Sequence, residues 1–313
     1  MKLKKRLIKL NLRLLTCNCL TTIIAAFFVT SAGHGQILNP PGGEEFKFHQ
    51  KFNPEFIKLN NIERIRCDIE NKKDGDRIRN TFKSNVYEFY PDGRLKMTSQ
   101  INHKLKDTLI NHYKYAGGRL ECEVKNDAAG MFSYCYVYDS DGKPKQVKYG
   151  RSKRYRSLTA SVNPELVSEI TSETYEHKAY ENQIHSTLYN NSGRPYQKEI
   201  RYYDPHGYLV KYLKTFVMSS AVHEEDYRYN TRGWLDSLTV TDNGKTVQKT
   251  FTYDDVGNLL TEDFYNQSGL AKHREFVYNA ENMFLRAELT REEKSSQIII
   301  TEFTYFFRRG DSN

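Results

Sequence analysis

Hydrophobic and polar residues alternate along most of the chain, and turn signals interrupt the alternation at short intervals. From Ile62 onward the chain is expected to reverse every 11 to 14 residues. This spacing leaves room for strands of about eight residues, roughly 27 Å long. Short loops between alternating segments are typical of antiparallel neighbours. The pattern therefore predicts an all-β protein built as a meander of hairpins.

One aromatic turn sequence recurs through this region, as in residues 251–259 (FTYDDVGNL). The two rings lie on one face of a strand, and Asp or Asn then opens a type I turn. Glycine three residues later takes the left-handed conformation that a bulged hairpin needs, and Leu returns to the buried face. In a seventh copy, Asn282 stands where glycine is expected. The predicted turn glycines are Gly93, Gly118, Gly142, Gly207, Gly233 and Gly257.

These residues resemble the YD repeats of the Rhs family. Residues 253–259 match that family's Tyr-Asp-x-x-Gly-x-Leu turn, and Gly269 supplies its second glycine turn. The resemblance covers roughly residues 86–305. In that family, long arrays of repeats spiral into a closed shell around a toxin. This chain has about nine units and resembles a short, toxin-less YD-repeat protein, which implies an array too short to enclose a domain.

The expected fold is an antiparallel hairpin meander over residues 61–309 that forms an open twisted sheet or a partial barrel. Residues 163–170 (NPELVSEI) depart from the repeat and predict one short helix, with Pro164 at its first position. The last strand, near residues 303–307, would leave an aromatic edge. We expect that edge to be paired, or capped by Arg308 and Arg309.

The first 35 residues have the order of a secretory signal peptide: basic residues, then an uncharged run over 14–32, then small residues. We expect cleavage after Ala32 or Gly35. The alternative is an uncleaved anchor, since 19 uncharged residues could just span a bilayer. Residues 36–60 are expected to form a linker or an irregular lead-in. The protein is therefore expected to be secreted, periplasmic or at the cell surface.

Net charge and cysteine content bear on the expected partners and on a possible disulfide. The net charge is +8, but six of the positive charges lie in the leader, which leaves about +2. We therefore expect no nucleic-acid partner, and membrane contact only through an uncleaved leader. Cys122 and Cys135 flank a predicted hairpin tip, and export permits a disulfide between them; bridged and free forms both remain open. Cys67 is expected to be a buried free thiol.

The sequence shows no recognisable catalytic constellation. Residues 222–226 (VHEED) lack a second histidine at metal-binding spacing, and residues 139–142 (DSDG) lack the later ligands of a calcium loop. We predict no enzyme activity, no catalytic or metal-ligating residue and no cofactor. Most rings are assigned to the core. Trp234 and Tyr208 follow turn glycines and are the candidate ligand-contact residues, because such rings offer sugars an apolar face and a polar rim.

The expected function is that of an exported, non-enzymatic binding or scaffold module at the envelope or surface. Its expected partner is a cell-envelope glycan or a surface protein. Two alternatives remain open. One is an accessory or remnant of an Rhs-type toxin-delivery system. The other is an envelope polysaccharide hydrolase, whose two carboxylates would have to come from different repeats.

Overall fold

The computed structural model describes residues 36–42, 48, 50–127, 130–152 and 166–309. Within these residues, no helix is long and apolar enough to cross a membrane. The described residues form one helix and eighteen strands: α1 (Pro54–Leu59), β1 (Ile62–Lys73), β2 (Arg79–Phe89), β3 (Leu95–Asn102), β4 (Asp107–Ala116), β5 (Arg119–Asp127), β6 (Gly130–Tyr138), β7 (Pro144–Ser152), β8 (Leu166–Tyr180), β9 (Gln183–Tyr189), β10 (Pro195–Tyr203), β11 (Leu209–Phe216), β12 (Val222–Tyr229), β13 (Leu235–Asp242), β14 (Lys245–Tyr253), β15 (Leu259–Asn266), β16 (Gly269–Tyr278), β17 (Leu285–Glu292) and β18 (Gln297–Phe307).

The strands form a closed antiparallel barrel. Each strand pairs with its neighbours in sequence, and β1 also pairs with β18, where Cys67 lies opposite Phe303. The predicted all-β hairpin meander is confirmed, but the open twisted sheet or partial barrel is wrong. Because β18 pairs with both β17 and β1, its backbone groups are covered and it is not an edge. Arg308 adds a hydrogen bond of 2.6 Å from Nη2 to the Phe89 carbonyl oxygen.

A short helix is present, but not where the sequence predicted it. Residues 166–170 belong to β8, which pairs with β7, and residues 163–165 lie outside the described residues. Helix α1 instead has Asn53 as its N-cap, whose side-chain oxygen accepts a hydrogen bond from the Glu55 nitrogen at 3.0 Å. Pro54 occupies the first helical position, where a missing N–H costs nothing. Over residues 166–170, pairing with β7 outweighs the local helical signal.

The repeat turns share one end of the barrel, which we call the turn end. The six predicted turn glycines all have positive φ, between 78° and 93°. Two copies differ from the common turn. Gly117 and Gly118 both have positive φ and form a two-residue turn between β4 and β5. In the seventh copy, Met283 (φ 58°) takes the left-handed conformation instead of Asn282, because that turn is one residue longer.

The described residues between Gln36 and Asn60 pack inside the barrel at its turn end. The Phe52 ring lies 5.0, 5.8 and 6.4 Å from the rings of Tyr87, Phe89 and Phe303, so these strand faces point into the barrel. The side chain of Ile57 in α1 is fully buried. The segment that the sequence assigned to a linker or lead-in therefore supplies part of the hydrophobic core.

Cysteine placement follows the hairpin between β5 and β6. Cys122 and Cys135 are directly opposed, their Cα atoms are 4.1 Å apart, and the structure joins them in a disulfide. Cys67 on β1 is a buried free thiol, and burial raises its pKa to about 12. The proposed hairpin tip at 128–129 lies outside the described residues.

Candidate functional site

Asp and Asn side chains fix the backbone of the repeat turns. Oδ1 of Asp204 accepts hydrogen bonds of 2.9 Å from the backbone nitrogens of His206 and Tyr208. Oδ1 of Asn230 accepts a hydrogen bond of 3.1 Å from the nitrogen of Trp234. A side chain that binds its own turn in this way favours the turn over other backbone conformations. The backbone positions of Tyr208 and Trp234 at the turn end are therefore fixed by these hydrogen bonds.

The rings of Tyr208 and Trp234 each lie against the glycine of the next repeat turn. A Cβ at Gly233 would stand 2.3 Å from the Tyr208 hydroxyl oxygen. A Cβ at Gly257 would stand 2.7 Å from Cζ2 of Trp234. Glycine is thus required here for close approach as well as for positive φ. The sequence showed only the second requirement.

Tyr208 and Trp234 line one cleft of about 210 Å³, which we call the turn-end cleft. Its opposite wall is the segment Pro40–Gly42. The Tyr229 ring lies 4.8 Å from that of Tyr208, and the Tyr253 ring lies 5.3 Å from that of Trp234. Tyr208 is 41% exposed, whereas Trp234 is half-buried. The structure therefore brings the two candidate contact residues together.

Two polar side chains, Arg232 and Gln36, lie close to Trp234. The guanidinium carbon of Arg232 lies 5.2 Å from the centre of the Trp234 ring, within the range of a cation–π contact. Nη1 of Arg232 donates a hydrogen bond of 2.9 Å to the carbonyl oxygen of Asp255. Nε2 of Gln36 donates to the carbonyl oxygen of Val256 at 3.1 Å. The Trp234 ring therefore has a guanidinium group and an amide group close to it.

A second space, the luminal cavity, lies deeper in the barrel and measures about 500 Å³. Five charged residues form a chain along it. Glu288 lies 2.8 Å from Lys51 and 3.2 Å from Arg274, and Glu262 lies 2.6 Å from Arg274 and 3.3 Å from Lys249. Each carboxylate is therefore shared by two cations. The apolar lining is contributed by Leu38, Leu235, Leu238, Phe251, Leu259 and Phe276.

The sequence reading missed the luminal charges, although a signal for them exists. Lys249 and Arg274 stand two positions before the repeat rings Phe251 and Phe276, and side chains two apart share a strand face. Alternation alone places them inside the barrel. The sequence did not show that the interior is wide enough to hold charged pairs beneath the aromatic layer.

The carboxylates at 224–226 lie on β12 and engage neighbouring side chains. Glu224 and Asp226 lie 2.5 and 3.5 Å from Nζ of Lys211. The hydrogen bond that Lys211 donates to Glu224 holds the pKa of Glu224 below its usual range. Glu225 lies 2.8 Å from Nε2 of His223. Adjacent strand residues point to opposite faces, so Glu225 lies apart from Glu224 and Asp226, which share one face and meet at Lys211.

The acidic turn at 139–142 behaves as a repeat turn. Oδ1 of Asp139 accepts a hydrogen bond of 2.8 Å from the backbone nitrogen of Lys143, as the turn requires. In the part of the chain that the structure describes, no group of three or more His, Cys, Asp or Glu side chains is placed to hold a metal ion.

Comparison with known proteins assigns no family to the chain as a whole. A family model described as "Uncharacterised protein" matches residues 216–311, less than half of the chain. No curated protein matches the sequence.

Several solved structures show a weak similarity to this chain. A porin-like protein from Bacteroides uniformis is 11% identical, with 79% of this chain and 97% of that chain covered and a TM-score of 0.36. A crystal structure of TcdB2-TccC3 is 11% identical, covers 74% of this chain and 16% of that chain, and has a TM-score of 0.30. A LolA superfamily protein from Nitrosomonas europaea is 10% identical, covers 80% and 87%, and has a TM-score of 0.22. Similarities this low carry no argument about function.

Proposed function

We propose that this protein is a non-enzymatic binding module exported to the cell envelope or surface, and that its turn-end cleft holds a ring of an envelope glycan. The observation that carries the proposal is the meeting of Tyr208 and Trp234 in one cleft. Aromatic rings offer an apolar face to the C–H groups of a sugar, while polar atoms nearby meet its hydroxyl groups.

The size of the cleft favours one sugar ring at a time. Its volume of about 210 Å³ is smaller than the roughly 300–1,000 Å³ of pockets that enclose a whole drug-sized ligand. A longer glycan would therefore place one residue in the cleft and pass over the neighbouring turns. Because the chain repeats its turns along the rim, further weak contacts could add to the affinity.

The side chains that line the cleft are also preorganised for binding. Trp234 packs on Gly257 and Tyr253, and its backbone nitrogen is bound by Asn230. Side chains that are already ordered lose little entropy when a ligand binds. A fixed ring beside the Arg232 guanidinium is therefore suited to a weak, reversible ligand such as a glycan.

Trp234 makes a direct test possible because it is the chain's single tryptophan. Envelope glycan fragments titrated into the full chain should change tryptophan fluorescence in a saturable way. Trp234→Ala should lower glycan retention on a column of immobilised envelope glycan by at least about tenfold, the loss expected when a central aromatic contact is removed. Tyr180→Ala is the matched control, since Tyr180 is 56% exposed at the end of β8 and does not line the cleft.

Three results would contradict the proposal. Glycan retention that survives in Trp234→Ala with an unchanged melting temperature would remove the cleft as the site. Release of new reducing ends from the bound glycan would show hydrolysis instead of binding. Capture of one surface or toxin protein with no glycan would favour a role in a toxin-delivery system.

A further inference from the structure

A separate cavity of about 680 Å³ lies at the turn end, on the side of α1 and the first three repeat turns. We call it the arginine cavity. Of the residues lining it, Asn39 alone also lines the luminal cavity, and it shares no lining residue with the turn-end cleft. The side chains used below are Lys58, Arg94, Tyr115, Arg119 and Tyr138.

Arg94 is oriented by its neighbour Asp92 and turns one nitrogen away from it. Nε of Arg94 donates a hydrogen bond of 2.9 Å to Oδ2 of Asp92, and Nη2 donates to the same oxygen. These bonds hold the pKa of Asp92 below its usual range, so the carboxylate stays ionised and the guanidinium stays in place. Nη1 of Arg94 is buried without a hydrogen-bond partner among the described residues.

Tyr115 adds a second buried polar atom in the same wall. Its ring centre lies 4.7 Å from the guanidinium carbon of Arg94. Its hydroxyl oxygen is also buried, with no hydrogen-bond partner within the described ranges. A buried donor that lacks an acceptor is destabilising, because the loss of its hydrogen bonds to water is not compensated. Nη1 of Arg94 and the Tyr115 hydroxyl could therefore both donate hydrogen bonds to an acceptor atom of a bound ligand.

Arg119 supplies an accessible positive charge on the opposite side of the cavity. Its guanidinium carbon lies 5.7 Å from the Tyr138 ring centre, and a Cβ at Gly142 would stand 2.2 Å from Nη2. The Tyr138 hydroxyl donates to the Leu120 carbonyl oxygen at 2.8 Å, which fixes the ring beneath the guanidinium. Arg119 is exposed, and it has no carboxylate within 4.0 Å in the described part of the chain.

We propose that the arginine cavity binds an oxyanion carried by a small polar ligand, with Nη1 of Arg94 and the Tyr115 hydroxyl as donors and Arg119 as the main charge. Guanidinium groups form strong, directional hydrogen bonds with carboxylate and phosphate oxygens. The neighbouring rings of Tyr115 and Tyr138 suit an organic group attached to that oxyanion. Lys58 on α1 also lines the cavity, whose lining has four basic and three acidic side chains in all.

The test compares a sugar acid, the matching neutral sugar and a free inorganic oxyanion. Isothermal titration measures binding of glucuronate, glucose and inorganic phosphate to the full chain. We expect glucuronate or phosphate to bind. Glucose should bind at least about tenfold more weakly, because it cannot form the charge-assisted hydrogen bonds. Both anions should bind more weakly as salt is raised. Glucuronate and phosphate separate a sugar acid from a free phosphate as the source of the oxyanion.

Two Tyr→Phe variants distinguish a binding role from a structural one. Tyr115→Phe should leave the melting temperature unchanged or higher, because this hydroxyl bonds nothing in the described residues, yet it should weaken anion binding about tenfold or less. Tyr278→Phe removes the equivalent bond to the Leu259 carbonyl oxygen, at a residue that does not line the arginine cavity, and should lower the melting temperature with little effect on anion binding. Arg119→Gln should weaken anion binding about tenfold or more.

Several outcomes would overturn this proposal. Glucuronate and phosphate that bind no better than glucose would remove the oxyanion site. The oxyanion site would also be wrong if neither Arg119→Gln nor Tyr115→Phe changed the affinity for the anion. Anion binding that is lost in Trp234→Ala would place the anion in the turn-end cleft instead. Anion binding that persists in Trp234→Ala while glycan retention fails would support the arginine cavity independently of the proposed function.

Discussion

The hydroxyl group of Tyr253 donates a hydrogen bond of 2.8 Å to the main-chain oxygen of Leu235. Leu235 follows one repeat turn and Tyr253 precedes the next, so this bond ties two consecutive turns together. The same bond recurs between Tyr138 and Leu120, Tyr229 and Leu209, Tyr278 and Leu259, and Tyr305 and Leu285. It explains why the repeat has a phenol at this position, since phenylalanine would pack equally well without the bond.

Replacing Tyr253 with phenylalanine should therefore lower the free energy of unfolding by about 1 kcal/mol, the usual net value of one such bond. Tyr265→Phe is the matched control, because the Tyr265 hydroxyl makes no hydrogen bond with the described residues. Denaturant-induced unfolding of both variants measures the difference. Equal losses in the two variants would show that the bond to Leu235 contributes nothing.

The local part of this fold could be predicted because its chemistry is local. Asp254 accepts hydrogen bonds from the backbone nitrogens of Val256 and Asn258 at 3.0 and 2.8 Å, and Gly257 has a φ of 93°. Each of these requirements involves residues within one turn. The sequence therefore indicates the hairpins, their spacing and the buried face of each strand.

Closure of the barrel depends on contacts that no repeat unit contains. Strand β1 lacks the aromatic turn sequence, yet it pairs with β18 over eleven residue pairs from Ile62 to Lys73. Residues 36–60 contain a Pro-Pro-Gly-Gly run typical of a linker, yet Ile37 and Phe52 are buried in the core. Pairing and packing across more than two hundred residues decided both features, and alternation patterns carry no information at that range.

The candidate sites could be predicted in part. Tyr208 and Trp234 were identifiable from their position after a turn glycine. Their shared cleft required Pro40–Gly42, a segment far away in the sequence. Arg94 and Arg119 were not identifiable, because a basic residue next to a turn is common on protein surfaces. Only the buried, unpartnered Nη1 of Arg94 separates it from such residues.

The contact between α1 and the first repeat turn can be tested with a matched pair of glycines. Gly93 and Gly207 have almost the same φ, 87° and 85°. A Cβ at Gly93 would stand 1.8 Å from the Pro54 carbonyl oxygen, whereas one at Gly207 meets no described atom within 4 Å. Alanine should therefore cost about 1–2 kcal/mol at Gly207 from backbone strain, and about 1–3 kcal/mol more at Gly93 from the clash.

Thermal or denaturant-induced unfolding measures both alanine variants, and limited proteolysis reports on the segment 36–60. Faster cleavage of this segment is expected in Gly93→Ala and not in Gly207→Ala, because only the former displaces Pro54. Equal destabilisation of the two variants would mean that α1 does not depend on its contact with the turn.

The ion pair between Lys51 and Glu288 links the N-terminal segment to the luminal cavity. The side chain of Glu288 is only 12% exposed and also contacts Arg274. Glu288→Gln keeps the shape but leaves two cations without their shared carboxylate, and we expect a loss of about 1–3 kcal/mol in the free energy of unfolding. Glu275→Gln is the control, since Glu275 is exposed on the neighbouring strand β16. A loss at Glu288 no greater than at Glu275 would contradict the structural role of this network.

His112 should make stability fall under mildly acidic conditions. It is 7% exposed on β4, and burial, with a smaller contribution from Lys96, lowers its pKa to about 4. In the unfolded chain the same group has a pKa of about 6.5, so the unfolded state takes up the proton first. The free energy of unfolding should therefore be highest above pH 6.5. It should fall as the pH drops from about 6.5 to 4, by up to roughly 3 kcal/mol from this group.

His112→Gln isolates this contribution, because glutamine stays uncharged over the whole window. Carboxylates also titrate near pH 4, but they are common to both proteins, so the difference between the two pH profiles belongs to residue 112. His206→Gln, at an exposed turn position, should keep the wild-type slope. If His112→Gln loses stability as steeply as the wild type between pH 6.5 and 5, protonation of His112 does not destabilise the fold. The acid sensitivity would then originate elsewhere in the barrel.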